Sequence, residues 1–347
     1  MKFEIASKIQ PILNDTSLSP QEVFQRVKKI INDTESQMYQ PKESVSIAQL
    51  ALDNLALMAK SPKNINVVKT GFSGFDHNFS GLGLGELVVI GGRPGMGKTQ
   101  LVINLALNIS TTSPLLYFSL DLSSFALSSR FLASLSSINI QKIIQNKLND
   151  EEKDNLNDAV KKLDDYKIFV NDSSNYSIQA LKEHCKKHIE ENGVKVIIID
   201  YLQLISPLKY RNNREYEISI ITRELKNIAK EFNVCVIVSS QLSRAVESRG
   251  GDKRPMLSDL RESGSIENDA DMVIFIYRPE YYGVFEDADG NSTLRIVELI
   301  VAKNRNGEIG TAVIKMDGNR SNFRDFDAYK NEFDFNQSRL DEIEPEF

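Results

Sequence analysis

The sequence predicts an α/β fold in which a mostly parallel β-sheet carries helices on both faces. The main observation is a series of short apolar runs, rich in β-branched residues, that alternate with helix-like stretches from about residue 67 onward. Fully apolar runs of this length are typical of strands buried on both faces, and strand–helix alternation is typical of parallel sheets. The runs are ELVVIGG, PLLYFSL, YKIFVND, VKVIIID, VCVIVSS and ADMVIFIY. Two later runs, LRIVELIVAKNRNG and GTAVIKMDG, predict hairpin strands at one edge of the sheet.

Two helical segments are predicted ahead of this core. The first, 1–40, is polar and predicts one small amphipathic helix, with Ser19 before Pro20 at its start. The second, 41–66, predicts a linker helix with a wide apolar face, which needs a partner surface. That surface is either the chain's own domain or a neighbouring subunit. The predicted domains are, in chain order, a short helical segment (1–40), a linker helix (41–66), an α/β domain (67–330) and an acidic, disordered tail (331–347).

Composition and charge narrow the functional classes. The chain has 347 residues and a formal net charge of −6. A protein that coats nucleic acid or anionic membranes with its whole surface is therefore excluded, whereas a local basic groove is compatible with this charge. Only two cysteines occur, Cys185 and Cys235, and no apolar run is long enough for a signal peptide or a membrane-spanning helix. These features predict a cytoplasmic protein without a membrane partner.

A phosphate-binding loop is predicted between the strand ELVVIGG and the apolar helix TQLVINLALNIS. Glycines let backbone N–H groups turn toward phosphates, and the N-terminus of the following helix favours anions. We expect Lys98 to reach the β- and γ-phosphates and the Thr99 hydroxyl to hold Mg²⁺, so ATP and Mg²⁺ are the predicted ligands. The loop has the pattern G-x-x-x-x-G-K-T and consists of Gly92, Arg93, Pro94, Gly95, Met96, Gly97, Lys98 and Thr99.

Three polar residues at predicted strand ends complete the nucleotide site. Asp200 ends VKVIIID, where a buried carboxylate needs a partner and hydrated Mg²⁺ supplies one. Asp121 follows PLLYFSL, where an acid would face the γ-phosphate and orient the attacking water. Gln241 closes VCVIVSSQ and either senses the γ-phosphate or satisfies backbone groups at the strand end. Spacing alone leaves both roles of Gln241 open.

The segment after Gln241, SRAVESRGGDKRPMLSDLRESGSIENDAD, is basic and poor in apolar residues. It predicts a mobile loop or pair of loops whose cations, among them Arg244, Arg249 and Arg261, suit phosphodiester oxygens. The alternative is a solvated charged loop. Because the segment lacks aromatic residues, base stacking is not indicated.

These motifs, in this order, resemble the ATPase domain of the DnaB-type replicative helicases, which are hexameric RecA-like rings. The resemblance covers about residues 44–326 and rests on TGFSGFD, GLGLGELVVIGGRPGMGKT, YFSLDLS, VIIIDYLQLI, SSQLSRAVESR, LSDLRESGSIENDAD and VAKNRNGEIGT. It implies a RecA-like fold and an ATP-driven 5′-to-3′ DNA helicase that moves along single-stranded DNA in replication. It further implies that Arg261, Glu262 and Gly264 grip the phosphate backbone. Lys303 and Arg305 would reach a neighbour's ATP in trans.

Two departures from the family's pattern limit what the resemblance implies. The family usually has Glu where Asp121 stands, so hydrolysis is expected to be slow unless the backbone advances to compensate. The family's N-terminal domain is larger than the segment that precedes the linker helix here, which argues against primase coupling but not against ring assembly or a helicase loader. Two alternatives remain: a nucleotide-gated scaffold that binds single-stranded DNA and hydrolyses ATP weakly, and a RecA- or clock-type ATPase. The sequences of the motifs LRESGSIENDAD and AKNRNG disfavour the RecA- or clock-type ATPase.

Overall fold

The computed structural model divides the chain into two compact units, Met1–Ile65 and Asn66–Phe347. The predicted acidic tail, 331–347, lies outside the residues that the structure describes. Across the described ranges, no helix is long and apolar enough to cross a membrane. The described residues are 2–15, 17–38, 44–60, 66–174, 176–207, 213–260, 264–319 and 321–326.

The first unit is helical. Its helices are α1 (Lys2–Leu13), α2 (Pro20–Met38) and α3 (Ile47–Lys60). Helices α1 and α2 pack against each other, so 1–40 contains two helices where the sequence predicted one. The start of α2 is fixed by a reciprocal cap, in which the Ser19 N–H donates to Glu22 Oε2 at 2.9 Å and the Glu22 N–H donates to Ser19 Oγ at 3.4 Å.

The second unit is an α/β domain built, within its described residues, on one nine-stranded sheet and a two-stranded ribbon. The ribbon consists of β1 (Val67–Val68) and β2 (Leu82–Gly83). The strands of the large sheet are β3 (Leu87–Gly92), β4 (Leu115–Ser119), β5 (Ile168–Asn171), β6 (Val196–Asp200), β7 (Cys235–Gln241), β8 (Met272–Tyr277), β9 (Ile296–Asn304), β10 (Gly310–Met316) and β11 (Phe323–Asp325). The helices are α4 (Ser73–Phe79), α5 (Lys98–Ser110), α6 (Ser124–Ser136), α7 (Ile140–Ile144), α8 (Asp150–Leu163), α9 (Ile178–Asn192), α10 (Arg214–Phe232), α11 (Ala245–Ser248) and α12 (Gly264–Asp269).

The strand order of the large sheet is β11-β10-β9-β8-β3-β7-β6-β4-β5. The six strands from β8 to β5 in this order run parallel to one another, whereas β9, β10 and β11 add an antiparallel extension next to β8. The strands predicted from the apolar runs, including the edge hairpin, are confirmed. Strand β3 is buried on both faces: Val88 and Ile90 pack in the apolar cluster that contains α5, and Leu87 and Val89 in the cluster that contains α9 and α10.

The parallel strands bring polar strand ends together at the carboxyl edge of the sheet. In the strand register, Gly92 pairs with Gln241 and Ser119 pairs with Asp200. Loops that leave this edge of an open α/β sheet commonly form its ligand site. The fold therefore places the P-loop, Asp200 and Gln241 side by side, although they are far apart in the sequence.

Candidate nucleotide and nucleic-acid site

A cleft of about 460 Å³ opens at the carboxyl edge of the sheet. Its lining includes residues from the β3–α5 loop, the start of α5, the β4–α6 loop and the ends of β6 and β7. Five of them were singled out by the sequence as catalytic: Lys98, Thr99, Asp121, Asp200 and Gln241. The fold thus gathers in one cleft the groups that nucleotide chemistry requires, and their individual roles stay predictions.

The P-loop has the backbone shape that its glycines allow. Gly95 and Gly97 have φ values of +81° and +97°, in the left-handed region that favours glycine. Gly97 is also the N-cap of α5, so the free N–H groups and the positive dipole end of this 13-residue helix lie at the cleft. Backbone donors at a helix N-terminus of this kind favour a phosphate group.

Lys98 donates from Nζ to the carbonyl oxygens of Gly92 at 2.6 Å and Arg93 at 3.2 Å. Burial lowers the pKa of Lys98 to about 8; Asp200 opposes this shift and Arg93 adds to it. An ammonium group that has lost much of its hydration gains more from an anionic ligand than an exposed one does. Lys98 is therefore suited to bind phosphate oxygens.

Asp200 is held in place by two buried hydroxyl groups. It is only 4% exposed; Ser239 Oγ donates to Asp200 Oδ1, and the Tyr117 hydroxyl donates to Oδ2 at 3.5 Å. Burial, with a smaller contribution from Asp200, raises the pKa of Tyr117 well above 10.0, so Tyr117 remains a donor. These two bonds fix the carboxylate and leave lone pairs free for a ligand in the cleft.

The donor set of the cleft fits Mg²⁺. The Thr99 hydroxyl and the Asp200 carboxylate are hard oxygen ligands, which Mg²⁺ prefers. No group of three or more His, Cys, Asp or Glu suited to a metal occurs in the part of the chain that the structure describes. A cation here would therefore complete its coordination with water and phosphate oxygens, as Mg²⁺ commonly does beside a nucleotide.

Two arginines that sequence reasoning missed also line the cleft, Arg130 and Arg278. Arg278 is 8% exposed, donates from Nη1 to the Gly95 carbonyl at 3.3 Å and pairs with Glu280. Within the described residues, the Nε atoms of both arginines are buried without a hydrogen-bond partner, and such donors fit an anionic ligand. The strand-end rule that found Asp200 could have found Arg278, which directly follows β8, whereas Arg130 lies inside α6 and gives no such signal.

The backbone around Gln241 is tied to two other elements. The Gln241 N–H donates to Gln203 Oε1 at 3.4 Å. Arg93, in the P-loop, donates from Nη1 to the Leu242 carbonyl at 2.9 Å and from Nε to Glu247 Oε1, on α11, at 2.8 Å. A movement of the P-loop would therefore be transmitted directly to the segment that follows Gln241.

The predicted DNA-binding residues occupy different environments. Arg244 is exposed and lines a second cavity, of about 530 Å³, together with Gln241 and Arg93. Arg249 is half-buried in an ion pair with Asp259 and also donates to the Arg254 carbonyl at 3.2 Å. Gly264 is exposed at the start of α12. Arg261 and Glu262 lie outside the described residues. Arg244 thus shares a cavity with Gln241, which also lines the nucleotide cleft.

Lys303 and Arg305 lie at the opposite edge of the parallel strands. Arg305 donates from Nη1 to Asp271 Oδ1 at 3.3 Å, and Lys303 donates from Nζ to the Asn268 carbonyl at 3.4 Å. Asp271 also accepts from the N–H of Leu87, the first residue of β3. The P-loop begins at the other end of this strand, at Gly92. The six residues of β3 separate the two edges by about 20 Å. Neither residue lines its own chain's cleft, so a role at a nucleotide would need a neighbour's cleft.

Comparison with known proteins identifies relatives over most of the chain. The family model for the DnaB-like helicase C-terminal domain matches residues 67–325. A probable replicative DNA helicase from Trieres chinensis is 45% identical over 278 residues, which cover 78% of this chain and 60% of that protein. The replicative DNA helicase DnaB of Buchnera aphidicola subsp. Baizongia pistaciae is 36% identical over 338 residues, which cover 94% of this chain and 72% of the relative.

Two solved structures share the fold. One, described as an ATPase domain, matches with a TM-score of 0.75 and 34% identity, over 82% of this chain and 100% of that chain. A DnaB-like replicative helicase, described with its interactions with primase, matches with a TM-score of 0.72 and 32% identity, over 94% of this chain and 76% of that chain. The predicted RecA-like fold is confirmed, although the chain spans only 60% of the length of the Trieres relative. From the cleft, the topology and these matches, the chain belongs to the family of DnaB-like helicases that share this C-terminal domain.

Proposed function

We propose that the chain is the motor of an ATP-dependent DNA helicase, which couples ATP hydrolysis to movement along single-stranded DNA and to duplex unwinding in replication. The observation that carries this proposal is the 460 Å³ cleft, where a P-loop lysine and threonine meet two strand-end acids and a strand-end glutamine. This set suits phosphoryl transfer to water. Membership in the DnaB-like family supports DNA as the polymer on which the motor works.

Each group has a role that its position supports. Lys98 and Arg278 would bind phosphate oxygens, because both are cationic and line the cleft. The Thr99 hydroxyl and the Asp200 carboxylate, through water, would hold Mg²⁺, which when bound neutralises charge that develops on the phosphates. Asp121 would orient the attacking water. Gln241 would report the γ-phosphate to the segment that begins at Leu242.

We propose that catalysis requires assembly of the chain into a homo-oligomer, which is a hexameric ring. Lys303 and Arg305 lie at the amino edge of the parallel strands, away from their own chain's cleft, and are available to a neighbouring copy. An arginine supplied in trans to a nucleotide contributes about 10³–10⁵ in rate in well-studied cases. An isolated subunit should therefore hydrolyse ATP poorly.

We propose that DNA is gripped by the segment after Gln241. Arg244 is exposed beside the nucleotide cleft, and Gly264 is exposed at the start of α12. With Arg261 and Glu262 between them in the sequence, these residues would contact the phosphate backbone of one strand through charge and backbone amides. The contact between Arg93 and the Leu242 carbonyl supports coupling of this grip to the nucleotide state.

The test is ATP turnover of the purified chain with and without single-stranded DNA, with the oligomeric state followed by light scattering and Lys98→Ala as the inactive control. DNA-stimulated turnover in an oligomer, followed by unwinding of a forked duplex, is the expected result. Tight ATP-dependent DNA binding with turnover no higher than that of Lys98→Ala would overturn the motor and indicate a nucleotide-gated scaffold.

A further inference from the structure

We infer that Asp271 is a positioning residue for Arg305, holding it for use at a neighbour's nucleotide and linking it to the strand that carries the chain's own P-loop. The inference rests on the proposed function, because it needs a catalytic assembly with nucleotide between subunits. Asp271 lies at the amino end of β8, directly before Met272, and is only 5% exposed.

The carboxylate of Asp271 joins three elements. Its Oδ1 accepts from Arg305 Nη1 at 3.3 Å. Its Oδ2 accepts from Lys226 Nζ, on α10, at 2.6 Å and from the Leu87 N–H, at the start of β3, at 2.8 Å. A buried carboxylate is stable only when it is paired and hydrogen-bonded, and here two cations and a backbone donor satisfy it.

Arg305 is anchored at both its backbone and its side chain. Its N–H donates to the Asp271 carbonyl at 2.9 Å, and its Nη2 donates to the Asn268 carbonyl at the end of α12. The side chain is nevertheless 46% exposed. A guanidinium has five N–H donors, so after the bonds to Asp271 and Asn268 three remain for a phosphate on a neighbour. Arg305 is thus held in one orientation while it keeps donors for an external ligand.

The same carboxylate connects this arginine to the P-loop strand. The Asp271 backbone N–H donates to the Leu87 carbonyl at 2.9 Å, in addition to the bond between the Leu87 N–H and Oδ2. Strand β3 runs directly from Leu87 to Gly92, where the P-loop begins. A displacement of β3 at one nucleotide would therefore be transmitted through Asp271 to the arginine that serves the next.

The competing interpretation is a latch, in which Asp271 sequesters Arg305 and must release it before catalysis. The donor count of Arg305 favours positioning. The guanidinium keeps three N–H donors beyond those bonded to Asp271 and Asn268, so it can bind a phosphate without release from Asp271. The two interpretations predict opposite effects when the carboxylate is removed, so turnover distinguishes them.

The variant Asp271→Asn retains an oxygen that can accept from the Leu87 N–H and removes the charge that orients Arg305. In the assembled protein we expect kcat to fall about 10²-fold, toward that of Arg305→Ala, with the KM for ATP within about twofold of wild type, because the P-loop is unchanged. The matched control is Asp269→Asn, two residues away, where the carboxylate lies 3.9 Å from Arg223 instead. This control should keep wild-type turnover.

A mixing experiment distinguishes positioning in trans from a local structural effect. Lys98→Ala subunits cannot use ATP but still offer an intact Arg305 to their neighbours. When they are mixed with Asp271→Asn subunits, turnover per Asp271→Asn subunit should rise at least tenfold, as it should for Arg305→Ala subunits in the same mixture. If Asp271 matters only to its own chain's P-loop, the mixture will restore Arg305→Ala but not Asp271→Asn, and the inference is overturned.

Thermal melting and light scattering check that each variant folds and assembles. If Asp271→Asn does not assemble, the double variant Asp271→Asn/Lys226→Gln removes the ammonium that would lose its carboxylate partner and replaces it with an uncharged amide. We expect the double variant to show the same fall in kcat and the same rise in turnover when it is mixed with Lys98→Ala subunits. Wild-type or raised turnover in the single or double variant would overturn the inference. Absence of turnover in the wild type, or full turnover in Arg305→Ala, would instead contradict the proposed function.

Discussion

At the scale of the residue, the burial of Lys98 predicts that ATP binding depends on pH. Its pKa is lowered to about 8, chiefly by burial, so the side chain is charged below pH 8 and loses its proton as the pH rises above it. The phosphates of bound ATP favour the charged form and raise this pKa again. Binding above pH 8 must therefore take up a proton.

We predict that ATP binds about tenfold more weakly at pH 9 than at pH 7, because the charged fraction of Lys98 falls from about nine-tenths to about one-tenth. Titration calorimetry in two buffers with different ionisation enthalpies measures both the affinity and the proton uptake. The control is Lys98→Arg, whose side chain stays charged and should bind with nearly constant affinity over this range. A wild-type affinity as flat as that of Lys98→Arg would contradict the prediction.

Asp121 is the second residue whose chemistry can be tested alone. It is exposed at the cleft, and the backbone just before it is held to β6 by the Leu120 N–H, which donates to the Asp200 carbonyl at 2.9 Å. This regular sheet contact keeps the end of β4 level with β6. The backbone therefore offers no evident compensation for a side chain one methylene shorter than Glu.

We predict that Asp121→Glu raises kcat, by up to about 10²-fold, because the longer carboxylate reaches the attacking water better. The KM for ATP should change little, since Asp121 does not belong to the P-loop. Steady-state turnover with single-stranded DNA present is the measurement, and Asp121→Asn, which should abolish turnover, is the control. An unchanged or lower kcat in Asp121→Glu would mean that Asp121 already positions the water well.

At the scale of the element, the strands followed from the sequence because burial on both faces leaves a continuous apolar run, as in β6 and β8. The strand-end rule then located Asp200 and Gln241. The ribbon strands β1 and β2 have two residues each, too few for any period to be detected. The surroundings of Arg305 could not be predicted from the sequence, because Arg305 pairs with Asp271, and Asp271 with Lys226, only through tertiary contacts. Its assignment rested on the resemblance alone.

The structure of the basic segment after Gln241 was also not predictable from the sequence alone. Its sequence predicted mobile loops, but it contains α11 and α12 and is tied to distant elements. Arg254 donates to both carboxylate oxygens of Glu298, on β9, at 2.7 and 2.8 Å. Arg93 reaches Glu247 across 154 positions of sequence. Such long-range pairs leave no local signal in composition or spacing.

The pair formed by Arg93 and Glu247 leads to a prediction about coupling between elements. Replacement of Glu247 by Gln removes the charge that holds α11 to the P-loop but keeps the size of the side chain. We expect basal ATP turnover within about twofold of wild type and a several-fold smaller stimulation by single-stranded DNA, because a charge-assisted bond is roughly twice as strong as a neutral one. The neighbouring substitution Ser248→Ala is the control. Full DNA stimulation in Glu247→Gln would show that the signal takes another route.

At the scale of the whole molecule, the proposed catalytic groups divide between two edges of one sheet. The cleft lies at the carboxyl edge, and Arg305 lies at the amino edge, about one strand length away. Copies that bring one edge to the other would contact head to tail, and such heterologous contacts close into a ring when the rotation allows it. The separation of the two edges is therefore the physical reason why the proposed catalytic site needs more than one subunit.

Helix α3 offers the test of that assembly. Its apolar side chains are largely exposed in the single chain: Ile47 is 81%, Leu55 62% and Met58 67% exposed. These three residues lie on one face at helical spacing, and an exposed apolar face of this kind marks an interaction surface. We predict that Leu55→Glu shifts the protein from oligomers to monomers and lowers ATP turnover, because the trans arginine is lost.

Light scattering coupled to gel filtration measures the shift, and turnover is measured on the same fractions. The matched control is Ala56→Glu, which adds the same charge at an exposed position on the opposite face of α3 and should leave both assembly and turnover unchanged. If Leu55→Glu remains oligomeric with wild-type turnover, the apolar face of α3 is not an assembly surface. If it is monomeric but fully active, the arginine is not supplied in trans, and the two edges of the sheet do not cooperate between subunits.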